Sequence, residues 1–152
     1  MTKHFTLFLL VALMAGCSPV EYEDVSNVEP YAEFVGKTVV SKERLILHGL
    51  TSGEYSANEL EFYSFAKPPG STHKYVKSRT YVPKGTRLEI IAVEQCTNCY
   101  FNLEAKVKFR VAPQNLTTSY QLPVYLRDDL LVKEWGIEDK DTNYHHNLFA
   151  ME

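Results

Sequence analysis

The sequence lacks several features that would point to common classes of protein. Its longest apolar run, residues 5–14, is far shorter than the roughly 20 residues that cross a bilayer as a helix. Its net charge of -3 is too small to indicate a nucleic-acid partner or general attraction to an anionic membrane. It has no G-x-S-x-G or H-E-x-x-H motif, no catalytic cysteine context and no internal repeat. We therefore expect a non-enzymatic protein that does not bind nucleic acid.

The N-terminus carries the most specific pattern in the chain. Lys3 and His4 precede the apolar run, whose length is typical of a targeting segment. The run ends in Leu-Met-Ala-Gly-Cys at residues 13–17. This ending resembles the lipobox of bacterial lipoprotein precursors, in which small residues occupy the two positions before an obligatory cysteine. Met14 departs from the leucine that the family usually has three positions before that cysteine.

The resemblance implies a mature chain that starts at Cys17. A diacylglycerol thioether would be attached to its sulfur, usually with a further acyl chain, such as palmitate, on its amine. Several acyl chains give a stable membrane anchor, because each buried methylene contributes about 0.8 kcal/mol. Ser18 stands where aspartate would signal inner-membrane retention in many Gram-negative bacteria, which implies an outer-membrane anchor facing the periplasm. The alternative is an ordinary secretory signal with an incidental cysteine.

The composition divides the chain into four predicted parts. Residues 1–16 are the signal peptide, and residues 17–30 form a lipidated tether whose four acidic residues have no basic neighbour. Residues 31–137 form one β-rich domain, and residues 138–152 form a polar tail. A docking peptide for a basic partner is the functional alternative for the tether.

Residues 87–111 contain the clearest periodic signal, which predicts a hairpin. From Phe101 to Val111 every second residue is apolar, so one face of this strand is buried and the other meets water. The preceding strand alternates too, but Ile91 and Val93 add apolar residues on the opposite face, which predicts burial on both faces. Residues 96–99 form a connection of the length that hairpins favour.

Five further segments read as strands: residues 37–40, 44–48, 60–65, 75–82 and 120–126. Pro123 predicts an edge position for the last of these, because proline cannot donate to a sheet ladder. Residues 128–135 predict one or two helical turns that end before Gly136. The expected fold is mainly all-β: a small antiparallel barrel or sandwich with a short C-terminal helical turn.

Residues 82–94, VPKGTRLEIIAVE, resemble the turn and strand of bacterial SH3-like domains. The similarity in strand order extends over residues 39–126. It implies an SH3-like barrel that binds peptides or cell-wall material rather than catalysing a reaction. The pattern is too short to assign binding residues by analogy.

Cys96 and Cys99 allow three interpretations. A thioredoxin-like redox pair needs a cysteine at a helix N-terminus, but the following segment has strand periodicity. A zinc site needs two further ligands, and the histidines show no partnering spacing. The third interpretation is a disulfide across the hairpin turn, which an even number of remaining cysteines favours in an exported protein.

Residues 62–88 contain six cations and no acid, interleaved with tyrosines. Such a segment can present a local positive field and flat aromatic contact area to an anionic partner. The predicted binding residues are Lys74, Tyr75, Lys77, Arg79, Tyr81 and Lys84. The alternative is a solvated sheet face without a binding role.

No cofactor or metal is expected. Asp139, Asp141 and Asn143 have the spacing with which a calcium loop begins, but Tyr144 and Ala150 stand where that loop requires glycine and glutamate.

Two functional hypotheses follow, both with the membrane as a partner through the lipid. The first is an envelope binding module that contacts peptidoglycan or envelope machinery. The second is a periplasmic inhibitor or immunity-type protein that blocks another protein; a redox protein using Cys96 and Cys99 is a third.

Overall fold

The fold was determined from a computed structural model, which describes residues 20–51, 59–98, 106–116, 120–127 and 148–152. These residues form nine strands and one 3-10 helix, Tyr31–Phe34. The strands are β1 (Tyr22–Asp24), β2 (Thr38–Ser41), β3 (Leu45–Leu50), β4 (Phe62–Ala66), β5 (Val76–Val82), β6 (Arg87–Cys96), β7 (Val107–Pro113), β8 (Val124–Arg127) and β9 (Phe149–Met151). The all-β prediction is confirmed. The signal peptide and the predicted helical turn at residues 128–135 lie outside the described residues.

The central hairpin pairs β6 with β7 in antiparallel orientation. Its register shifts between Ile90 and Ala92, so that Ile91 is the extra residue of a β-bulge. The bulge explains the apolar residues on both faces of this strand: Ile90 and Val93 are both buried in the core, whereas Ile91 is 44% exposed. The prediction of burial on both faces is therefore wrong at Ile91.

The strands form one sheet in the order β5-β3-β4-β8-β7-β6-β2-β9, and β1 pairs with the outer half of β6. The described pairs are antiparallel, as predicted, except β4 with β8, which is parallel. The edge position predicted for β8 is wrong, because β8 lies between β4 and β7. Pro123 precedes the strand, and its carbonyl accepts a hydrogen bond from the Tyr63 N–H (2.8 Å). Because proline lies outside β8, its lack of an N–H removes no hydrogen bond between the strands.

The sheet curls around a single core. In the strand order β4 and β9 are five positions apart, which in a flat sheet would separate them by roughly 24 Å. Yet the rings of Phe65 on β4 and Phe149 on β9 pack edge to face with centroids 6.4 Å apart. Strands β2 to β9 all contribute to one buried cluster, at whose centre Phe34 and Phe109 also pack edge to face.

The segment before residue 31 belongs to the fold. Tyr22, Glu23 and Asp24 pair with Cys96, Gln95 and Glu94 of β6. Val25 is buried, and its N–H donates to the Val93 carbonyl (2.9 Å). The prediction of a solvated tether at residues 17–30 is therefore wrong at residues 22–25.

The chain also returns to the sheet at its C-terminal end. β9 pairs with β2, and Leu148 and Phe149 are buried. Beyond β9, Glu152 accepts a hydrogen bond from Arg87 (2.8 Å). Within the predicted polar tail at residues 138–152, Leu148 and Phe149 are thus part of the core, and β9 is part of the sheet.

Deleting residues 20–25 is expected to lower the free energy of unfolding by about 1.5–3 kcal/mol, the value of one buried aliphatic side chain. Urea unfolding of the lipid-free chain measures this change. Replacing the exposed Glu23 with alanine is the control and should change stability by less than about 0.5 kcal/mol. A deletion as neutral as the control would show that this segment is only a tether.

Candidate functional site

The predicted binding residues lie along and beside β5, which is the last strand of the described sheet order and pairs with β3. Arg79 and Tyr81 lie opposite His48 and Ile46 of β3, on the face of the sheet away from the core. Val82, with the opposite orientation, is buried in the core. Strand alternation therefore exposes Arg79 and Tyr81. We call the surface formed by Arg44, Lys74, Tyr75, Lys77, Arg79, Tyr81 and Lys84 the basic edge.

At one end of the basic edge, Tyr81 is joined by a cation that the sequence did not single out. The guanidinium carbon of Arg44 lies 3.8 Å from the centroid of the Tyr81 ring, a cation–π contact. The ring is nevertheless 61% exposed, and Lys84 is exposed in the turn that follows β5. This end of the edge offers a flat aromatic surface beside positive charge.

At the other end, Lys74 and Tyr75 precede β5. The Tyr75 ring packs on the His73 ring with centroids 4.4 Å apart, and the Lys74 ammonium lies 5.9 Å from the Tyr75 ring centroid. Lys77 is the extra residue of a bulge, since the β3–β5 register shifts between Gly49 and Leu50. The structure therefore brings all six predicted residues to one edge, although their side chains do not converge on one point.

One cation of the basic segment is neutralised. Arg87 forms an ion pair with Glu152, and both side chains are partly exposed. The pair could not be predicted because β9 was not recognised as a strand. Arg87 is for this reason not included in the basic edge.

Next to Arg79, the same outer face contains a buried polar pair. His48 on β3 lies opposite Ser64 on β4 and opposite Arg79 on β5. His48 is 4% exposed and Ser64 is 6% exposed. Within the described part of the chain, neither His48 Nε2 nor Ser64 Oγ has a hydrogen-bond partner.

The loop before β5 covers His48. A Cβ placed on Gly70 would lie 2.6 Å from His48 Nε2, so only glycine fits there without displacing the imidazole. Gly70 also has φ = +73°, which side-chain-bearing residues rarely adopt. Arg79 Nη2 donates to the Ser71 carbonyl of the same loop. Burial, and secondly the Arg79 charge, lower the pKa of His48.

A second cation–aromatic cluster lies on β7, four positions from β5 in the sheet order. The Lys108 ammonium lies 3.5 Å from the Tyr22 ring centroid, 4.4 Å from the Tyr125 ring centroid and 3.1 Å from Glu94 Oε2. Burial, followed by the Glu94 charge, raises the pKa of Tyr125, whose hydroxyl lies 3.3 Å from Glu94 Oε1. Lys108 was predicted to face water, yet its side chain is only 19% exposed. Lys108 is therefore paired with Glu94, and its contacts stabilise the packing of β1, β6, β7 and β8.

Only some of the residues that the cysteine and metal hypotheses involve lie in the described part of the chain. Cys96 is disulfide-bonded, and its partner lies outside the described residues, as do Cys17 and Cys99. The pairing of Cys96 with Cys99 stays a prediction. Within the described ranges no three His, Cys, Asp or Glu side chains are grouped as a metal site would require, and no helix is long and apolar enough for a membrane span. The calcium-like residues 139–143 lie outside these ranges.

Comparisons with protein-family models, curated proteins and solved structures find no match to this chain.

Proposed function

We propose that this protein is a lipid-anchored, non-catalytic binding module of the cell envelope whose basic edge binds an anionic partner. The observation that carries the proposal is the exposure of Lys77, Arg79 and Tyr81 along the outermost described strand. The N-terminal resemblance to lipoprotein precursors supplies the anchor at Cys17. The proposed location is the outer membrane, with the domain in the periplasm.

The partner that fits this surface best is peptidoglycan. Its stem peptides carry carboxylates that can pair with exposed cations, and its sugars offer flat faces that can stack on Tyr81 and Tyr75. Such binding is expected to be weak for each contact and to weaken in salt, because exposed charges are screened. Many copies of the protein on one membrane would engage a polymer together, which strengthens weak contacts.

A protein partner is the second candidate, and the position of β5 favours it. A strand at the end of a sheet can pair its backbone with an extended segment of another protein. An inhibitor or immunity-type protein that used β5 in this way would form a tight, roughly equimolar complex. Backbone pairing would also make that complex less sensitive to salt than binding to a polymer.

Lys77→Ala/Arg79→Ala is expected to weaken binding to peptidoglycan by between about twofold and thirtyfold, since each exposed charge pair contributes about 0.2–1 kcal/mol. The measurement is co-sedimentation of the mature chain, kept in detergent, with purified sacculi at low and moderate salt. The variant should also show a smaller loss of binding on addition of salt than the unmodified protein.

The matched control is Lys37→Ala/Lys106→Ala, which removes the same charge away from β5. The control should bind like the unmodified protein. Equal losses in both variants would indicate a general charge effect and count against the basic edge. No binding of the unmodified protein at either salt concentration would refute peptidoglycan as the partner.

A further inference from the structure

We infer that the end of the sheet where β1 begins and β6 ends faces the lipid surface, and that this orientation holds the Tyr81 end of the basic edge away from the membrane. The inference rests on the proposed lipid anchor at Cys17. It adds to that proposal the surface that meets the membrane and the direction in which the binding surface points.

The connection between the anchor and the fold is short. The Glu21 N–H donates to Asn98 Oδ1 (2.9 Å), and the Glu21 carbonyl accepts from the Thr97 N–H (3.0 Å). The next residue, Tyr22, pairs with Cys96. The chain is thus held on the sheet from Glu21 onward, only four positions after Cys17. Four residues span at most about 14 Å, so the end of β6 stays close to the lipid head groups.

The residues at this end suit a membrane interface. Val20 is 46% exposed, and Tyr22, two positions later, is partly exposed. Apolar and aromatic side chains are common at the level of lipid head groups. Glu21 and Glu23 are exposed beside them, so attraction to anionic lipids is not what brings this end to the membrane. The short covalent connection does so instead, and the orientation should not depend on lipid charge.

The opposite end of β6 is connected to the basic edge. β6 contains ten residues from Arg87 to Cys96, a length of roughly 30 Å. The turn at its far end is fixed on β2, because the Gly85 N–H donates to the Ser41 carbonyl (2.8 Å) and the Ser41 N–H donates to the Thr86 carbonyl (2.9 Å). Tyr81 and Lys84 lie at this turn. A partner that binds them is therefore expected beyond the membrane surface, where a polymer layer would lie.

Energy transfer from tryptophan to dansyl-labelled lipid tests this orientation. Trp135, the single tryptophan of the chain, is replaced by phenylalanine, and a reporter is introduced as Gln95→Trp near the end of β6 or as Lys84→Trp in the far turn. Both replaced side chains are exposed. The lipidated variants are reconstituted in vesicles of phosphatidylcholine, without or with phosphatidylglycerol. We expect more transfer from Gln95→Trp than from Lys84→Trp in both compositions.

A longer tether supplies the control. Insertion of about twelve Gly and Ser residues after Ser18, with a root-mean-square span of roughly 20 Å, should remove most of the difference between the two reporters. Equal transfer with the native tether, or more transfer from Lys84→Trp, would overturn the orientation. Failure of the chain to associate with vesicles would overturn the anchor and the orientation together. Failure of the unmodified lipidated chain to bind sacculi, with the difference between the reporters preserved, would overturn only the proposed partner.

Discussion

Replacing Phe109 with alanine is expected to lower the free energy of unfolding by about 3–5 kcal/mol, the range measured when buried aromatic side chains are truncated. Phe109 has no exposed surface and lies in the middle of β7, a strand with neighbours on both sides. Its ring packs edge to face on Phe34 with centroids 5.8 Å apart and an interplanar angle of 85°. The substitution would leave a cavity between the sheet and the 3-10 helix. Urea unfolding of the lipid-free chain measures the loss.

Ile91→Ala is the matched control for this substitution. Ile91 is also apolar and lies on the neighbouring strand, but the bulge leaves it 44% exposed. Its truncation should change stability by less than about 0.5 kcal/mol. A double-mutant cycle with Phe34→Ala should give a coupling of about 0.5–1.5 kcal/mol, because the two rings contact each other. If Phe109→Ala cost less than about 1 kcal/mol, this core would not hold the sheet together.

The sequence predicted the strands whose patterns are local and long. In β7, alternation separates Val107, Phe109 and Val111, which are buried, from the residues between them. The bulge in β6 was not predicted, because the apolar residues around it fit burial on both faces as well as an extra residue in the strand. Which of these two interpretations is correct depends on the hydrogen bonds that β6 makes with β7 and β1, and sequence periodicity gives no information about them.

The elements that prediction missed depend on distant partners. β1 and β9 have three residues each and little intrinsic strand preference. β1 forms a strand because its backbone pairs with β6 and because Val25, the residue after it, is buried in the core. β9 forms a strand because its backbone pairs with β2 and because its Phe149 is buried in the core. The position of β8 was mistaken for a similar reason: the effect of Pro123 depends on whether it lies inside or before the strand.

Six of the seven residues of the basic edge were predictable, because they are close in sequence and three of them, Lys77, Arg79 and Tyr81, alternate along β5. Arg44 was not included, since it reaches Tyr81 only through the pairing of β3 with β5. His48 was not recognised as a site residue either. Its burial requires a loop about twenty positions later in the chain, and no local pattern links the two.

His48 makes the stability of the protein depend on pH in a defined direction. In the unfolded chain its imidazole takes up a proton near its ordinary pKa of 6.5. In the folded protein burial and the Arg79 charge lower that pKa, so the folded state takes up the same proton only at lower pH. Between the two values the unfolded state binds more protons, and the folded state becomes less stable as the pH falls.

We therefore expect the free energy of unfolding to decrease as the pH is lowered from 7 through 6.5 towards the depressed pKa of His48. His48→Leu should remove this contribution, because leucine does not titrate and leaves no unpartnered nitrogen under Gly70. The measurement is a series of urea unfolding curves between pH 7.5 and pH 5, in which the difference between the two proteins isolates His48 from other titrating groups.

His73→Leu is the control, since it removes an exposed imidazole and leaves His48 under its loop. Gly70→Ala tests whether the loop before β5 covers His48. The new Cβ would collide with His48 Nε2, and the backbone angle at this position favours glycine, so the free energy of unfolding should fall by more than about 1 kcal/mol at neutral pH. Because displacement of the loop would admit water to His48, the pH slope of this variant should be smaller. Equal slopes in His48→Leu and in the unmodified protein would contradict this account and show that other groups cause the pH dependence between pH 7.5 and pH 5.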